Sequence, residues 1–480
     1  MRLRLAALAV TSAILISGCS LAPAYRPPVI PAPALYKEAG AQPLPGWTIA
    51  TPMDAQARGA WWQAFNDPVL DNLETRAAAA SPTLAAALAR YDQARAQVGI
   101  AGSAEVPEID ALGQYSNNRS SHSPMNSRGV PGTFSDEIVS GTLSYEFDLW
   151  GRIRNTVQAA RANAAASNDD LASARLSLQA AVADTYVQLR GLDARAELLR
   201  RTVEAYNHAY ELTTARHRGG IAAGMDVSRA RSTLASALAL VSDVANQRAA
   251  DEHRLAALIG AVTSDFTIPR RLESISVPAI AASQPSTLLQ RRPDIAAAER
   301  RMFAFNAQIG VARAALFPDV TLSLSAGWQT TAGALFSAPN TFWSLGPAQA
   351  LAPIFDGGRR RAQVRLSRAQ YDEAAAVYRN IVLTAFRDVE DGLAALRHLS
   401  AEELDQRDAA TSAQRTSDLA LIRYRAGAAD YLEVVTAQTA ALTAEVTLIN
   451  LETQRLRSHI ALVQALGGET MPGATGALSR

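Results

Sequence analysis

Cysteine is nearly absent from this 480-residue chain. Cys19 stands alone, so no disulfide can form within one copy. Histidine is scarce as well. His122, His208, His217, His253, His398 and His459 fall in no ligand spacing, and without partner cysteines no metal site is expected. No Gly-x-Ser-x-Gly, phosphate loop or paired nucleophile and base occurs, so catalysis has no candidate residues and no cofactor is expected. An excess of either charge is missing too. The 46 Lys and Arg against 45 Asp and Glu leave +1, which gives no argument for nucleic acid as a partner. Aromatics make up only 6% while alanine and leucine dominate, which favours long helices packed at close range over a thick core. Length alone would suggest about three domains.

Proline is concentrated at the front: 8 of 22 prolines lie between Ser20 and Pro52. Proline breaks helices and cannot donate to a ladder, so residues 19–60 read as an extended tether. Ahead of it, Arg2 and Arg4 precede an apolar run, Leu5 to Ile16, too short to span a bilayer. Residues 1–18 are therefore expected to be a removed signal peptide. Ile16-Ser17-Gly18-Cys19 resembles a bacterial lipobox, which implies a covalent lipid on Cys19. Ser20 follows it in place of the Asp that commonly signals inner-membrane retention, which points to the outer membrane.

The rest of the chain is written twice. Arg423-Tyr424-Arg425-Ala426-Gly427 echoes Arg216-His217-Arg218-Gly219-Gly220 at an offset of 207, and Asp226, Val227 and Ala230 return as Glu433, Val434 and Ala437. Ser81-Pro82 and Arg292-Pro293 open matching helices, since proline suits a first turn and Ser81 can cap. The repeats are expected over 61–260 and 285–467, with 261–284 as a linker and 468–480 as a tail. Hairpins are expected at 106–149 and 318–355. Val139, Gly141, Leu143, Tyr145 and Phe147, like Val320, Leu322, Leu324, Ala326 and Trp328, alternate with polar residues. Their partners are Ile109 to Ser116 and Trp343 to Phe355, with polar outer loops Asn117 to Ile138 and Gln329 to Phe342.

Long helices follow, over 152–217 and 359–424, and helices return over 225–260 and 432–467. Leu178, Thr185, Leu192, Leu199 and Tyr206 recur every seven residues, and Val182, Leu189, Ala196, Val203 and Tyr210 form a second series. The second copy carries a looser stripe of Leu383, Phe386, Val389, Leu393 and Leu396. Each long helix spans about 100 Å at 1.5 Å per residue. The helix opening each repeat and the helix closing it sum to nearly this length, so they are expected to stack end to end beside it. The fold class is mainly α with a small β part: a duplicated hairpin plus coiled-coil-like helices. Four strands cannot close a barrel, about eight being the smallest number that does, and strand edges in lipid must be paired. So either the hairpins pack as a soluble sheet against helices, or several chains share one barrel. A lipidated N-terminus and strands with one apolar and one polar face favour the second, and a shared barrel continued by a helical cylinder is a conduit. Strand counting permits two chains as well as three.

Here the resemblance becomes specific. Ile16–Cys19 with Tyr25-Arg26-Pro27, Trp61 to Pro68, Arg292-Pro293-Asp294-Ile295, Phe355 to Arg359 and Arg423 to Ala437 resemble the outer-membrane factors of tripartite efflux pumps, the TolC/OprM/NodT-type lipoproteins. The resemblance covers essentially the whole mature chain. It implies a homotrimer with a 12-stranded barrel in the outer-membrane lipid of a Gram-negative bacterium and a long periplasmic α-barrel. It also implies a periplasmic adaptor (membrane fusion protein) and an inner-membrane transporter, often of the resistance–nodulation–division class, as partners. The turns Arg216, Gly219, Gly220 and Arg423, Gly427 would be tips where the adaptor docks. Leu432 would narrow the aperture, with Tyr431, Asp430, Glu433 and Thr436 around it. Thr436 stands where relatives often carry an acidic residue, so Glu433 either supplies a negative ring or is a helix-start carboxylate. Trp61 and Trp62 read as structural anchors. Arg359-Arg360-Arg361 reads as a lipid-interface anchor or as a solvated turn. The alternatives are a type I secretion or other envelope export duct, a lipid-anchored coiled-coil scaffold, and an envelope enzyme.

Overall fold

The computed structural model describes residues 20–28, 30, 36–39, 60–119, 132–271, 275 and 291–468. The expected signal peptide, Cys19, most of the tether and linker, part of the first outer loop and the tail lie outside them. In chain order the elements are α1 (Pro68–Ala80), α2 (Pro82–Ser103), β1 (Glu108–Arg119), β2 (Thr133–Phe147), α3 (Arg152–Arg218), α4 (Gly224–Leu258), α5 (Pro293–Ala314), β3 (Asp319–Thr330), β4 (Thr341–Leu351), α6 (Arg359–Arg425) and α7 (Tyr431–Ala465). They divide into two compact units. One holds the described parts of Met1–Val29, Ala89–Asn168 and Ala297–Arg379; the other holds those of Ile30–Leu88, Asp169–Ala296 and Asn380–Arg480. The division cuts across the repeats, since each repeat gives a hairpin to one unit and a helix pair to the other.

In the first unit the two hairpins join through β2 and β3 into one antiparallel sheet, ordered β1-β2-β3-β4. Register places Ile109, Leu143 and Leu324 side by side, with Gly113, Val139 and Trp328 in another row. Asp110, Thr142 and Ser325 occupy the opposite face. The alternation thus yields one apolar and one polar face. The strands outlast the clean alternation, because Ser116 to Arg119 pair with Thr133 to Asp136 despite their polarity. β4 stops at Leu351, short of the expected Phe355, and Ile354 and Phe355 stand exposed. Pro347, which has no N–H to give a ladder, falls where the register shifts opposite Leu322 and Leu324.

The long helices are started by aspartates. Asp148 Oδ1 accepts from Ile153 N at 3.1 Å and Oδ2 from Arg154 N at 2.9 Å. Asp356 accepts from Gly358 N at 3.0 Å and Arg360 N at 3.1 Å. Those bonds hold the Asp356 carboxyl below the usual range. Arg360 leaves the expected arginine run to reach the Ala315 carbonyl, while Arg359 and Arg361 stay exposed. α3 meets α5 through small residues, Ala159 and Ala162 against Ala304 and Ala307. The tether lies over this contact. Ser20 Oγ donates to Asn155 Oδ1 at 2.9 Å, Asn306 Nδ2 to the Pro23 carbonyl at 2.9 Å, and Tyr25 packs edge-on against Phe303 at 5.0 Å.

In the second unit both heptad series turn inward. Thr185, Leu189 and Leu199 are at most 1% exposed, and Leu192 and Leu199 pack on Val244 of α4. The second-copy stripe departs from expectation: Leu383 is 51% exposed, and Val382 and Ala385 take the core positions leading to Val389 and Leu393. The end-to-end stacking of short helices appears in both repeats. A Cβ on Gly260, past the end of α4, would stand 2.2 Å from the Ala80 carbonyl just before α2. One on Gly467, past α7, would stand 3.1 Å from the Arg291 carbonyl just before α5. Ser81 serves as the C-cap of α1, its N–H bonded to Ala77 O at 3.0 Å. Trp61, 1% exposed against Trp62 and Phe65, anchors this unit.

Candidate functional site

The two helix turns, Arg216 to Asp226 and Arg423 to Glu433, share one backbone solution. In the first, Gly220 N donates to His217 O at 2.9 Å and Ile221 N to Arg216 O at 2.9 Å. In the second, Gly427 N donates to Tyr424 O at 3.0 Å and Ala428 N to Arg423 O at 2.9 Å. This is the Schellman closure, which needs a left-handed residue at its bend. Gly220 and Gly427 supply it with φ of 73° and 77°. Gly219 ends the first helix with its N–H on Ala215 O.

Side chains make the turns unequal. The second return helix has an acidic cap, Asp430 Oδ1 accepting from Glu433 N at 3.0 Å, whereas Ala223 caps the first with backbone alone. Arg423 Nη1 donates to Glu433 Oε1 at 2.7 Å, so Glu433 is paired with a cation of its own turn. Asp226, its counterpart, sits 3.6 Å from Arg229 instead. Leu432 projects into solvent at 48% exposure, next to Glu433 and Thr436. Tyr431 does not join them. It is 2% exposed, packed edge-on to Tyr424 at 5.3 Å and enclosed with Ala209, Ala230 and Val434. Burial pushes its phenol up to about 12, so it stays neutral. Tyr431 thus braces the turn from beneath, and the exposed positions are Leu432 and Thr436 with the half-buried Glu433.

The turns are also tied to each other. The Arg216 guanidinium lies 4.6 Å above the Tyr424 ring and donates to the Tyr424 carbonyl, which also takes the Gly427 N–H. Tyr424 Oη donates to Thr213 Oγ1 at 3.4 Å. Further along, Tyr206 Oη donates to the Gln438 carbonyl at 3.1 Å. Sequence reasoning missed Tyr424, Thr213 and Gln438. Tyr424 lies inside the repeated turn but has His217 as its counterpart, so the duplication gave it no signal. Beyond the turn, Thr436, Thr439, Thr443 and Thr447 each donate to the carbonyl four residues back, at 2.8 to 2.9 Å. Their donors are spent within α7, so this exposed stripe offers oxygen acceptors and methyl groups.

Comparison with known proteins agrees across the chain. The family model described as outer membrane efflux protein matches residues 73–261 and 284–468, one block per repeat. The chain is 33% identical over 469 residues to the probable efflux pump outer membrane protein TtgC of Pseudomonas putida, covering 97% of this chain and 95% of that one. It is 34% identical over 476 residues to the pyoverdine export outer membrane protein OpmQ of Pseudomonas aeruginosa, covering 96% of each. The solved outer-membrane channel OprN superposes with a TM-score of 0.86 at 29% identity, over 94% of this chain and 99% of that one.

Proposed function

This chain belongs to the outer membrane efflux protein family, and from that premise we propose that three copies form the exit duct of a tripartite pump, passing small molecules from an inner-membrane transporter and periplasmic adaptor to the outside. The observation that carries the reading is the sheet. Its outer strands β1 and β4 each pair on one side only, and its apolar face carries Ile109 at 74%, Tyr115 at 66% and Trp343 at 77% exposure. A membrane sheet must close, and a four-stranded one cannot close alone. Three copies make twelve strands.

Lipid on Cys19 suits this placement. Ser20, the next residue, is fastened to Asn155 in the first turn of α3, seven residues beyond Asp148, the aspartate cap at the sheet's end of that helix. The gate reading places Leu432 around the pathway, with Glu433 and Thr436 beside it and Tyr431 and Asp430 fixing the turn that carries them. The adaptor is expected to dock over Arg216, Gly219, Gly220, Arg423 and Gly427. Members of this family are channels, and the chemistry here is passage, not turnover.

Two measurements test the proposal together. Deleting the gene should raise intracellular accumulation of exported compounds, and a plasmid copy should restore export. The protein in mild detergent should run at three chain masses. Unchanged accumulation of every compound tried, or a strict monomer, would overturn it.

A further inference from the structure

Residues 36–39 of the tether are bound to α6 by a reciprocal pair of contacts. The N–H groups of Lys37 and Glu38 both donate to the Glu390 carboxylate, at 2.8 and 2.9 Å. Seven residues on, on the same face of α6, Arg397 donates to the Glu38 carboxylate and to the Glu38 carbonyl. Tyr36, 5% exposed, inserts beside them, and burial with Glu390 nearby pushes its phenol above its ordinary range.

The duplication shows what this contact replaces. In the first repeat the matching stretch of α3 is pinned by a buried ionic knot. Asp193 receives Arg190 and Arg248 at 2.8 Å each. The same arginines donate to the Pro269 and Ile268 carbonyls at 2.9 and 2.7 Å. The Asp193 side chain is fully buried. At an offset of 207, Asp193 becomes Ser400, whose hydroxyl turns back to Leu396 O at 2.6 Å. Arg190 becomes Arg397, which goes to the tether, and Arg248 becomes Arg455, which pairs with Glu403 of α6 at 2.7 Å. Arg407 of α6 also meets Glu452 of α7 at 2.9 Å. These two ion pairs stay within the second helix pair and do not reach a following linker. Where α3 is held by a dry knot to its own return helix and the following linker, α6 is held by a strap whose ion pair is 20% and 39% exposed. A partly exposed ion pair opens far more readily than a buried network.

We propose that residues 36–39 are a releasable strap that holds α6 through Glu390 and Arg397, and that loosening it favours opening at the second turn, which α6 leads into. This rests on the gate reading given above. The test uses the full-length assembled protein in planar bilayers, with single-channel recording of wild type, Glu38→Arg, Arg397→Glu, the double reversal, and Arg423→Ala at the turn. Each single reversal should raise open probability about tenfold, the effect of about 1.4 kcal/mol, and the double reversal should return it towards wild type. Arg397→Gln, which adds no like charge, serves where a reversal fails to assemble, and melting curves separate loosening from unfolding. Wild-type openings in Glu38→Arg, Arg397→Glu and Arg397→Gln, with Arg423→Ala opening the channel, overturn the strap and leave the gate reading intact. No opening in any variant overturns both.

Discussion

His459 shows how one residue ties the molecule to pH. It sits on α7 at 2% exposure with its ring 5.5 Å from Phe65. Burial, helped by the positive charge of Arg455, lowers its pKa to about 4. An unfolded histidine titrates near 6.5, so this group favours the fold above that value, and its contribution is lost as pH falls from about 6.5 towards 4. At pH 5 the loss is on the order of 2 kcal/mol. His459→Leu should therefore narrow the gap between melting temperatures measured at pH 7 and pH 5; an unchanged gap would place the acid sensitivity elsewhere. Glu74 works in the opposite sense. Its carboxyl is 1% exposed with neither oxygen bonded, and burial with Asp71 nearby raises it to about 9. Neither environment was legible in the sequence, where His459 was one of six unpatterned histidines. Burial of a polar group depends on which distant segment lies over it, here residues 61–65, and no local pattern encodes that. Tyr431 is buried beside an exposed Leu432 for a related reason: being adjacent in sequence places a helix side chain about 100° away around the axis.

Elements were far more legible, because their signals are periodic and local. α3 and α6 each exceed their expected ends by one residue, since the glycine bends that stop them are explicit in Gly220 and Gly427. The first heptad series identified the buried face of α3 from Leu178 to Tyr206. The second stripe went wrong at Leu383 because many alanines there leave hydrophobic size a poor guide; Ala385 fits the contact and Leu383 does not. Both helices start at the expected residues, Arg152 and Arg359, but what caps them was hidden. Phe147-Asp148 and Phe355-Asp356 read as strand ends, yet each aspartate caps the long helix a few residues on. Asp148→Ala leaves the Ile153 and Arg154 N–H groups unmet and should cost about 1 to 2 kcal/mol. The same loss is expected for Asp356→Ala. Calorimetry of the purified protein checks both, and an unchanged transition in either variant would show that water replaces the cap at no cost. α7 is the one helix among the described residues long and apolar enough to cross a membrane. Its Arg455 and Arg457 pair with Glu403 and Asp184 at 2.7 Å each, which marks it as a member of a helix bundle.

At the scale of the whole molecule, the repeats of the sequence and the units of the structure are different divisions, and both follow from the same duplication. A hairpin alone exposes two edges and a helix pair alone exposes a broad apolar stripe, so each half-repeat packs with its copy: β2 with β3, and α3 and α4 with α6 and α7. Offsets in the sequence reveal the duplication but not this pairing, which depends on contacts some 200 residues apart. Among the described residues the outer edges of β1 and β4 have no partner strand. Its faces make the membrane reading testable at adjacent residues. Leu143 sits between Ile109 and Leu324 on the apolar face, and Thr142 between Asp110 and Ser325 on the polar face. An arginine facing lipid costs about 2 to 4 kcal/mol near the bilayer centre, while one facing a watery lumen costs little. Leu143→Arg should sharply reduce the assembled protein recovered from the outer-membrane fraction, and Thr142→Arg should leave it near wild type. A soluble sheet packed on helices would show no such contrast, because neither face would meet hydrocarbon. Equal recovery of the two variants would remove the lipid-facing assignment and with it the shared barrel.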